Sequence, residues 1–398
     1  MRILQVGATF VGAQQLIEES IHNFLLSIGH KSRILFAIGE SDDPEIIRYE
    51  SKSDQLMRRS FRKVVGPYDC FANKSTEHLI REIEEFHPDI IHIHTIHHGY
   101  INYAKMFEYI IRNSIPVVYT LHDMWPFTGG CYYYTAIGCN GYLSGCVNCP
   151  SLQVIDCKAT RTSQNFKRKR DLYQRLKSIV FVAVSDWVHE EAMKSMIQGY
   201  PIYTVWNAIS APQINGIQRN LTGRFRIIGV AASWGERKGV YRFFELARML
   251  GENCEIILVG SMSAELRSKA PSNVQSVGMI SDKEKLFRLY ASVNIHVSMS
   301  VEETFGITFV EAAIAGIRSI GFQSSAITDV IQKLNGYVVS SVKEVEKKIR
   351  EIMMDRKLAF LGEAEIDNVK QQFSVNIMCN EYLGIYRSVL GRGKRTMK

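Results

Sequence analysis

What most constrains this chain is a pattern that occurs twice: short apolar runs, each followed by a helix-length stretch. In the first half the runs are Ile3–Val6, Ser32–Ala37, Asp89–His94, Val117–Leu121 and Ile179–Val184, with a helix expected over Gln14–Ile28. Apolar strands need cover on both faces, and strands that alternate with helices form parallel sheets through crossover connections. The text turns polar and irregular from Asn207 to Asn220, then restarts with Arg226–Ala232, Glu255–Val259, Val274–Val277, Asn294–Val297 and Arg318–Gly321. The expected fold is α/β, with two Rossmann-like, doubly wound domains at residues 1–206 and 207–374. Val375–Leu390 has no strand of its own and is expected to cross back onto the first domain, so residues 375–398 form a crossover helix and a basic tail.

A length of 398 residues suits two such cores. With 46% apolar and 22% charged residues, the chain has the balance of a fully folded protein. No apolar run reaches the ~18 residues of a membrane-spanning helix, and Met1–Val6 reads as a buried strand, not a signal peptide. A cytoplasmic protein is expected. The net charge of +8 includes clusters at Lys167–Arg170 and at Arg392, Lys394 and Arg395. These suit an anionic partner such as a membrane surface, or are a solvated helix face and a frayed tail. No nucleic-acid partner is expected.

Chemistry concentrates in the second half. In Ser298–Ala312 a strand ends and a helix opens near Gly306, the arrangement by which an open α/β sheet offers free N–H groups and a positive dipole to phosphate. Phe305, Gly306, Ile307 and Thr308 line that opening, and Gly306 lets backbone approach closely. Glu303 stands just before the helix and Glu311 about two turns on, so the two carboxylates can serve opposite ends of one extended ligand. Where the first strand of the second half meets its helix, Lys238 is placed to offer an ammonium to a diphosphate, and Arg237 assists it or faces water.

Together these residues resemble the GT-B glycosyltransferases of family 4, whose signature is a Glu, seven residues and a second Glu, with Lys-Gly earlier in the same domain. The resemblance runs through Gly12, Gly29-His30, Pro88–His94, Val184-Ser185, Val205–Ala208, Gly278 and Asn335–Tyr337. It implies two facing domains with the active site in the cleft between them. It also implies retaining transfer from a nucleotide-sugar such as a UDP- or GDP-sugar, without a required metal. Lys238 then stabilises the leaving diphosphate, Glu303 positions the donor sugar, Glu311 holds the ribose, and Gly278, Met279 and Ile280 line the base. Gly12 resembles the loop below the donor phosphates, although Val11 replaces one of the usual paired glycines. His122 resembles the family's histidine near the transferred sugar, with Asp123 expected to orient it. Two further departures are Ser233, five residues before Lys238 where the family commonly has Arg, and Ser324–Asp329, where it tends to have Gly and Pro-Glu.

Five of the eight cysteines fall between Cys131 and Cys157, which fits a local knot in a reducing compartment better than a secreted disulfide scaffold. Cys146-x-x-Cys149, with Cys131 and Cys139 upstream, suits a tetrahedral structural zinc, with free thiols or a disulfide as the alternatives and Cys157 as a spare ligand. This insert, near residues 124–160, resembles a subset of the family from colanic-acid and other exopolysaccharide pathways, and is expected to wall the acceptor. By that resemblance the acceptor is a polyprenyl-diphosphate-linked oligosaccharide. His92, His94, His97 and His98 lack accompanying ligands at metal spacing and are read as structural or acceptor-facing. A nicotinamide dehydrogenase is disfavoured because Gly7 and Gly12 lack the middle glycine of its fingerprint. An epimerase of similar build and a non-catalytic sugar-nucleotide-binding assembly partner stay open.

Overall fold

The computed structural model describes residues 1–57, 72–150, 161–210, 212 and 223–395. Cys157, most of the 207–220 stretch and the side chains of Arg392, Lys394 and Arg395 lie outside what it describes. Two compact units are present, Met1–Trp206 with Val375–Lys398, and Asn207–Ser374.

In the first unit, β1 (Arg2–Val6), β3 (Lys31–Phe36), β5 (Ile46–Arg48), β6 (Ile90–Ile93), β7 (Val117–Leu121), β8 (Ile179–Ala183) and β9 (Ile202–Thr204) form one sheet in the order β5-β3-β1-β6-β7-β8-β9. Every neighbouring pair is parallel. Two short strands, β2 (Thr9–Phe10) and β4 (Ile38–Gly39), pair beside it. Chain order reverses between β1 and β6, so the crevice at their carboxyl ends is this unit's topological switch point. The strands are apolar because both faces are covered: Ile3, Leu4, Ile90, Ile91, Val117 and Val118 are all fully buried. The last helix, Val375–Arg395, packs on this unit: the Tyr386 hydroxyl meets His92 Nδ1 at 2.7 Å and the Tyr382 hydroxyl meets Thr120 Oγ1 at 3.0 Å.

The second unit holds β10 (Phe225–Ser233), β11 (Cys254–Ser261), β12 (Val274–Gly278), β13 (Ile295–Ser298), β14 (Ser319–Phe322) and β15 (Tyr337–Val339), in the parallel order β12-β11-β10-β13-β14-β15. Its reversal lies between β10 and β13. The core beneath is built from Ile227, Phe243, Ile256, Leu258, Ile295, Val297 and Ile320. The α/β architecture with two parallel sheets and a returning C-terminal helix is the one the apolar periodicity predicts. Three short edge strands, β5, β9 and β15, are absent from that reading because three residues carry too little period to register.

Candidate functional site

The β10/β13 switch point is built by two loops that lock together. Gly239 heads the helix Val240–Leu250 at φ 76° and packs so closely on β13's exit that a Cβ there would run into the Met299 carbonyl. The Lys-Gly pair thus has a local reason: glycine permits the approach, and the approach delivers the preceding Lys238 to the neighbouring loop. Val301 N–H donates to the Arg237 carbonyl at 3.0 Å, and Arg237 Nη1 donates to the Glu302 carbonyl at 3.2 Å, so Arg237 ties the two loops together. Lys238 Nζ makes an ion pair with Glu303 Oε1, both side chains keeping partial exposure at 21% and 18%. The pair is thus mostly buried but keeps an edge open to solvent.

Glu303 is held from a third element. Its N–H donates to Ser325 Oγ at 2.9 Å, and its carbonyl accepts from Ala326 N–H at 3.2 Å. The serine-rich departure from the family pattern therefore fixes the backbone of the first glutamate, a role that no local spacing announces. Gly306 opens the helix Ile307–Ile314 at φ 84° and brings Ile307 and Thr308 into its first turn, with Phe305 buried beneath. On that helix Glu311 accepts from the Tyr290 hydroxyl at 3.2 Å. Burial pushes the Glu311 carboxyl up to about 7, against the opposing pull of Tyr290 and Lys283. Tyr290 is also missing from the sequence reading, since its partner lies on a different helix. Gly278 ends β12, the edge strand two places from β10, and Met279 and Ile280 follow it, with Met279 57% exposed.

The first unit's switch point has another character. Gln5 Nε2 donates to the Glu18 carbonyl at 3.1 Å, which turns its oxygen toward His94 Nε2 at 3.0 Å. His94 Nε2 is therefore the donor, its Nδ1 accepts, and His122 Nε2 donates across 2.9 Å. Burial drives the His122 pKa down to about 4, with Asp123 opposing, and holds His94 well below its ordinary value. His122 is thus a neutral hydrogen-bonding imidazole at physiological pH. Asp123 Oδ2 pairs with His97 Nε2 at 2.5 Å and Oδ1 accepts from Trp125 N–H at 2.8 Å. His94 thus orients His122 through their 2.9 Å bond, while Asp123 opposes the loss of the His122 charge. Glu18 lies beneath Gly7, where a Cβ would strike its carboxyl; burial raises this group to about 8, and its Oε2 has no hydrogen-bond partner. Gly12 starts the helix Gly12–Ser27 at φ 63° with open space around it.

Four cysteines of the insert, Cys131, Cys139, Cys146 and Cys149, line one small pocket and are free thiols. Among the described residues, no three His, Cys, Asp or Glu side chains are arranged to hold a metal ion. In the Lys167–Arg170 run, Lys169 is fully buried, donates to the Trp125 carbonyl and sits 3.7 Å above the Trp125 ring. The exposed members of that run are Lys167, Arg168 and Arg170.

Residues 25–211 match the family described as Glycosyltransferase Family 4, and residues 224–355 match Glycosyl transferases group 1. A relative from Escherichia coli K12, the glycosyl transferase WcaC named for colanic acid biosynthesis, is 23% identical, covering 98% of this chain and all of its own. Among solved structures, sucrose-phosphate synthase from Thermosynechococcus elongatus superposes with a TM-score of 0.70 at 14% identity, over 98% of this chain and 100% of its own. HepE of Anabaena, solved in complex with UDP-glucose, gives 0.64 at 15% identity with the same coverage. At these identities the structures share the fold.

Proposed function

This chain belongs to the family 4, group 1 glycosyltransferases, and from that premise we propose that it is a retaining enzyme of bacterial polysaccharide assembly that draws on a nucleotide-sugar donor. The observation that carries the proposal is the Lys238–Glu303 pair, set beside the Gly306-led helix at the β10/β13 switch point, with Glu311 on the same helix. An incoming diphosphate competes with Glu303 for the Lys238 ammonium. The released Glu303 carboxylate is then an acceptor for donor-sugar hydroxyls, and the first-turn N–H groups take phosphate oxygens. As the anomeric carbon–oxygen bond breaks, negative charge grows on the diphosphate. Lys238 and those N–H groups are already aimed at it, which is electrostatic preorganisation and requires no metal. Glu311 accepts the ribose hydroxyls, and the Gly278–Ile280 turn serves the base.

The donor is a UDP- or GDP-sugar; HepE, whose structure contains UDP-glucose, favours the first. The acceptor is a growing oligosaccharide on a polyprenyl diphosphate, in keeping with the colanic-acid relative and the insert's resemblance. His122 and the insert are the first unit's candidates for handling the transferred sugar and the acceptor. No described helix is long and apolar enough to cross a membrane. Lys167, Arg168 and Arg170 would meet an anionic surface from outside.

Calorimetry with a panel of UDP-, GDP- and ADP-sugars tests the donor assignment. One donor is expected to bind selectively, to lose affinity in Glu311→Ala, and to bind more tightly as pH rises through about 7, where the Glu311 carboxyl ionises. Binding of none of the panel would overturn the donor assignment, whereas selective binding without detectable transfer would turn the reading toward the non-catalytic sugar-nucleotide-binding partner.

A further inference from the structure

One residue of the first unit breaks the apolar logic of its strand. β1 reads Arg2-Ile3-Leu4-Gln5-Val6 and lies inside the sheet, between β3 and β6. Leu4 and Val6 are fully buried, and so is Gln5. An amide taken out of water in this way is costly unless both of its ends find partners. Leucine would occupy the position without that cost. Gln5 meets the requirement by reaching two other elements. Its Nε2 donates to the Glu18 carbonyl in the helix Gly12–Ser27 at 3.1 Å, and its Oε1 lies 3.0 Å from His94 Nε2, just past β6. The Glu18 end is itself fixed, because the side chain of that residue is wedged under Gly7 and accepts from Gln14 Nε2 at 2.7 Å.

Turning the amide over does not reverse this polarity. A carbonyl oxygen only accepts, so the Glu18 carbonyl holds the amide NH2 and leaves the amide oxygen for His94. That oxygen demands a proton on His94 Nε2. Burial keeps the His94 and His122 rings neutral, so His94 Nδ1 carries the lone pair. The 2.9 Å contact to His122 then demands a proton on His122 Nε2. At His122 the chain of demands ends, with Nδ1 as the lone-pair nitrogen, and whatever meets that nitrogen has to donate. Asp123, the carboxylate next in sequence, is taken up instead by His97 and the Trp125 N–H.

We propose that Gln5 is a positioning residue that acts through His94 to present His122 Nδ1 to the substrate as a hydrogen-bond acceptor. The tautomer follows from the geometry alone, while the identity of the substrate rests on the glycosyltransferase reading above. The group recognised by this nitrogen is a sugar hydroxyl, which brings its own hydrogen. A carbonyl, ether or phosphate oxygen brings none and is refused, and so is a fluorine in the place of the hydroxyl. A site built to pair with a hydroxyl discriminates against analogues lacking it, because its own polar group is then left unpaired. Held in this tautomer, His122 does not serve as a general acid, since its one ring proton is committed to His94. Gln5 and His94 act only through His122, and the amide that interrupts β1 is the start of that control.

The test is nitrogen-15 NMR of the purified full-length protein labelled at histidine, with the His122 ring signals identified by their loss in His122→Asn. The Nε2–H tautomer of His122 is expected in the wild type without any ligand; an Nδ1–H tautomer or a charged ring at neutral pH overturns the assignment. Gln5→Leu withdraws the acceptor, and His122 is then expected to populate the other tautomer. Gln5→Glu, whose buried carboxylic acid can donate to the Glu18 carbonyl and accept from His94 as the amide does, is expected to restore the wild-type pattern. An unchanged tautomer in a folded Gln5→Leu also overturns it, and where that variant fails to fold the wild-type spectrum decides. Transfer assays with donors fluorinated at each sugar hydroxyl in turn test the substrate half. One position is expected to slow the wild type about tenfold and Gln5→Leu less, whereas equal rates with every donor overturn that half. Absence of transfer by the wild type with any donor strikes the glycosyltransferase reading, and the tautomer still stands or falls by the spectrum.

Discussion

The two units use the same backbone device, a reversal of chain order in a parallel sheet, and fill it with opposite electrostatics. At the β10/β13 crevice the side chains are charged and partly exposed, Lys238 against Glu303. At the β1/β6 crevice they are neutral and buried, a chain from Gln5 through His94 to His122 in which burial suppresses the histidine charges. A charged pair with an edge open to solvent can trade its internal partner for an anion such as a diphosphate. A neutral imidazole fixed in one tautomer can only donate or accept a hydrogen bond, which suits uncharged hydroxyls. Fold alone therefore says nothing about which unit stabilises charge; the residues placed at each reversal decide it.

Substitutions at the two crevices should differ in size and kind. Lys238→Ala removes the cation facing the leaving group and is expected to lower kcat by about 10²–10³-fold with a smaller change in donor KM, measured by steady-state transfer assays. An equal loss from His122→Ala would abolish the contrast. The next effect separates the two raised carboxyls. Glu18 has its folded pKa near 8 against an ordinary 4.5, so the native state keeps a proton that the unfolded chain gives up, and stability falls as pH rises through that window. Glu18→Gln removes this dependence. Its advantage over the wild type in denaturant melts should grow with pH by a few kcal/mol, with donor affinity in the second unit unchanged. The smallest effect is expected from His122→Asn, which loses a neutral hydrogen bond worth about 1–1.5 kcal/mol and so slows transfer by roughly tenfold with no new pH limb near neutrality. A bell-shaped profile lost in that variant would instead make His122 a titrating acid or base.

Much of the second crevice was legible because its parts are local. Gly239 and Gly306 each occupy a left-handed position at a helix start, next in sequence or nearly so to Lys238 and Glu303. Ser325, Tyr290 and Arg237's tie to the Glu302 carbonyl were not legible, since each reaches a different element of the chain. The first crevice hides more. Asp123 sits beside His122 in sequence and pairs with His97, while His122 is oriented by His94 from the neighbouring strand. The basic run at Lys167–Arg170 shows the same limit: helical rotation turns Lys169 inward onto Trp125 and leaves its neighbours outside, a distinction that net charge cannot make.

The sequence by itself determined the two parallel sheets, because runs of apolar residues at helix-length intervals can be buried in no other common way, and it located the glycine-led helix start at Gly306. Tertiary structure alone decided which polar groups meet. Hydrogen bonds such as His94–His122 and Tyr290–Glu311 join residues 28 and 21 positions apart, and their protonation follows from burial that exists only once the sheets have closed over them.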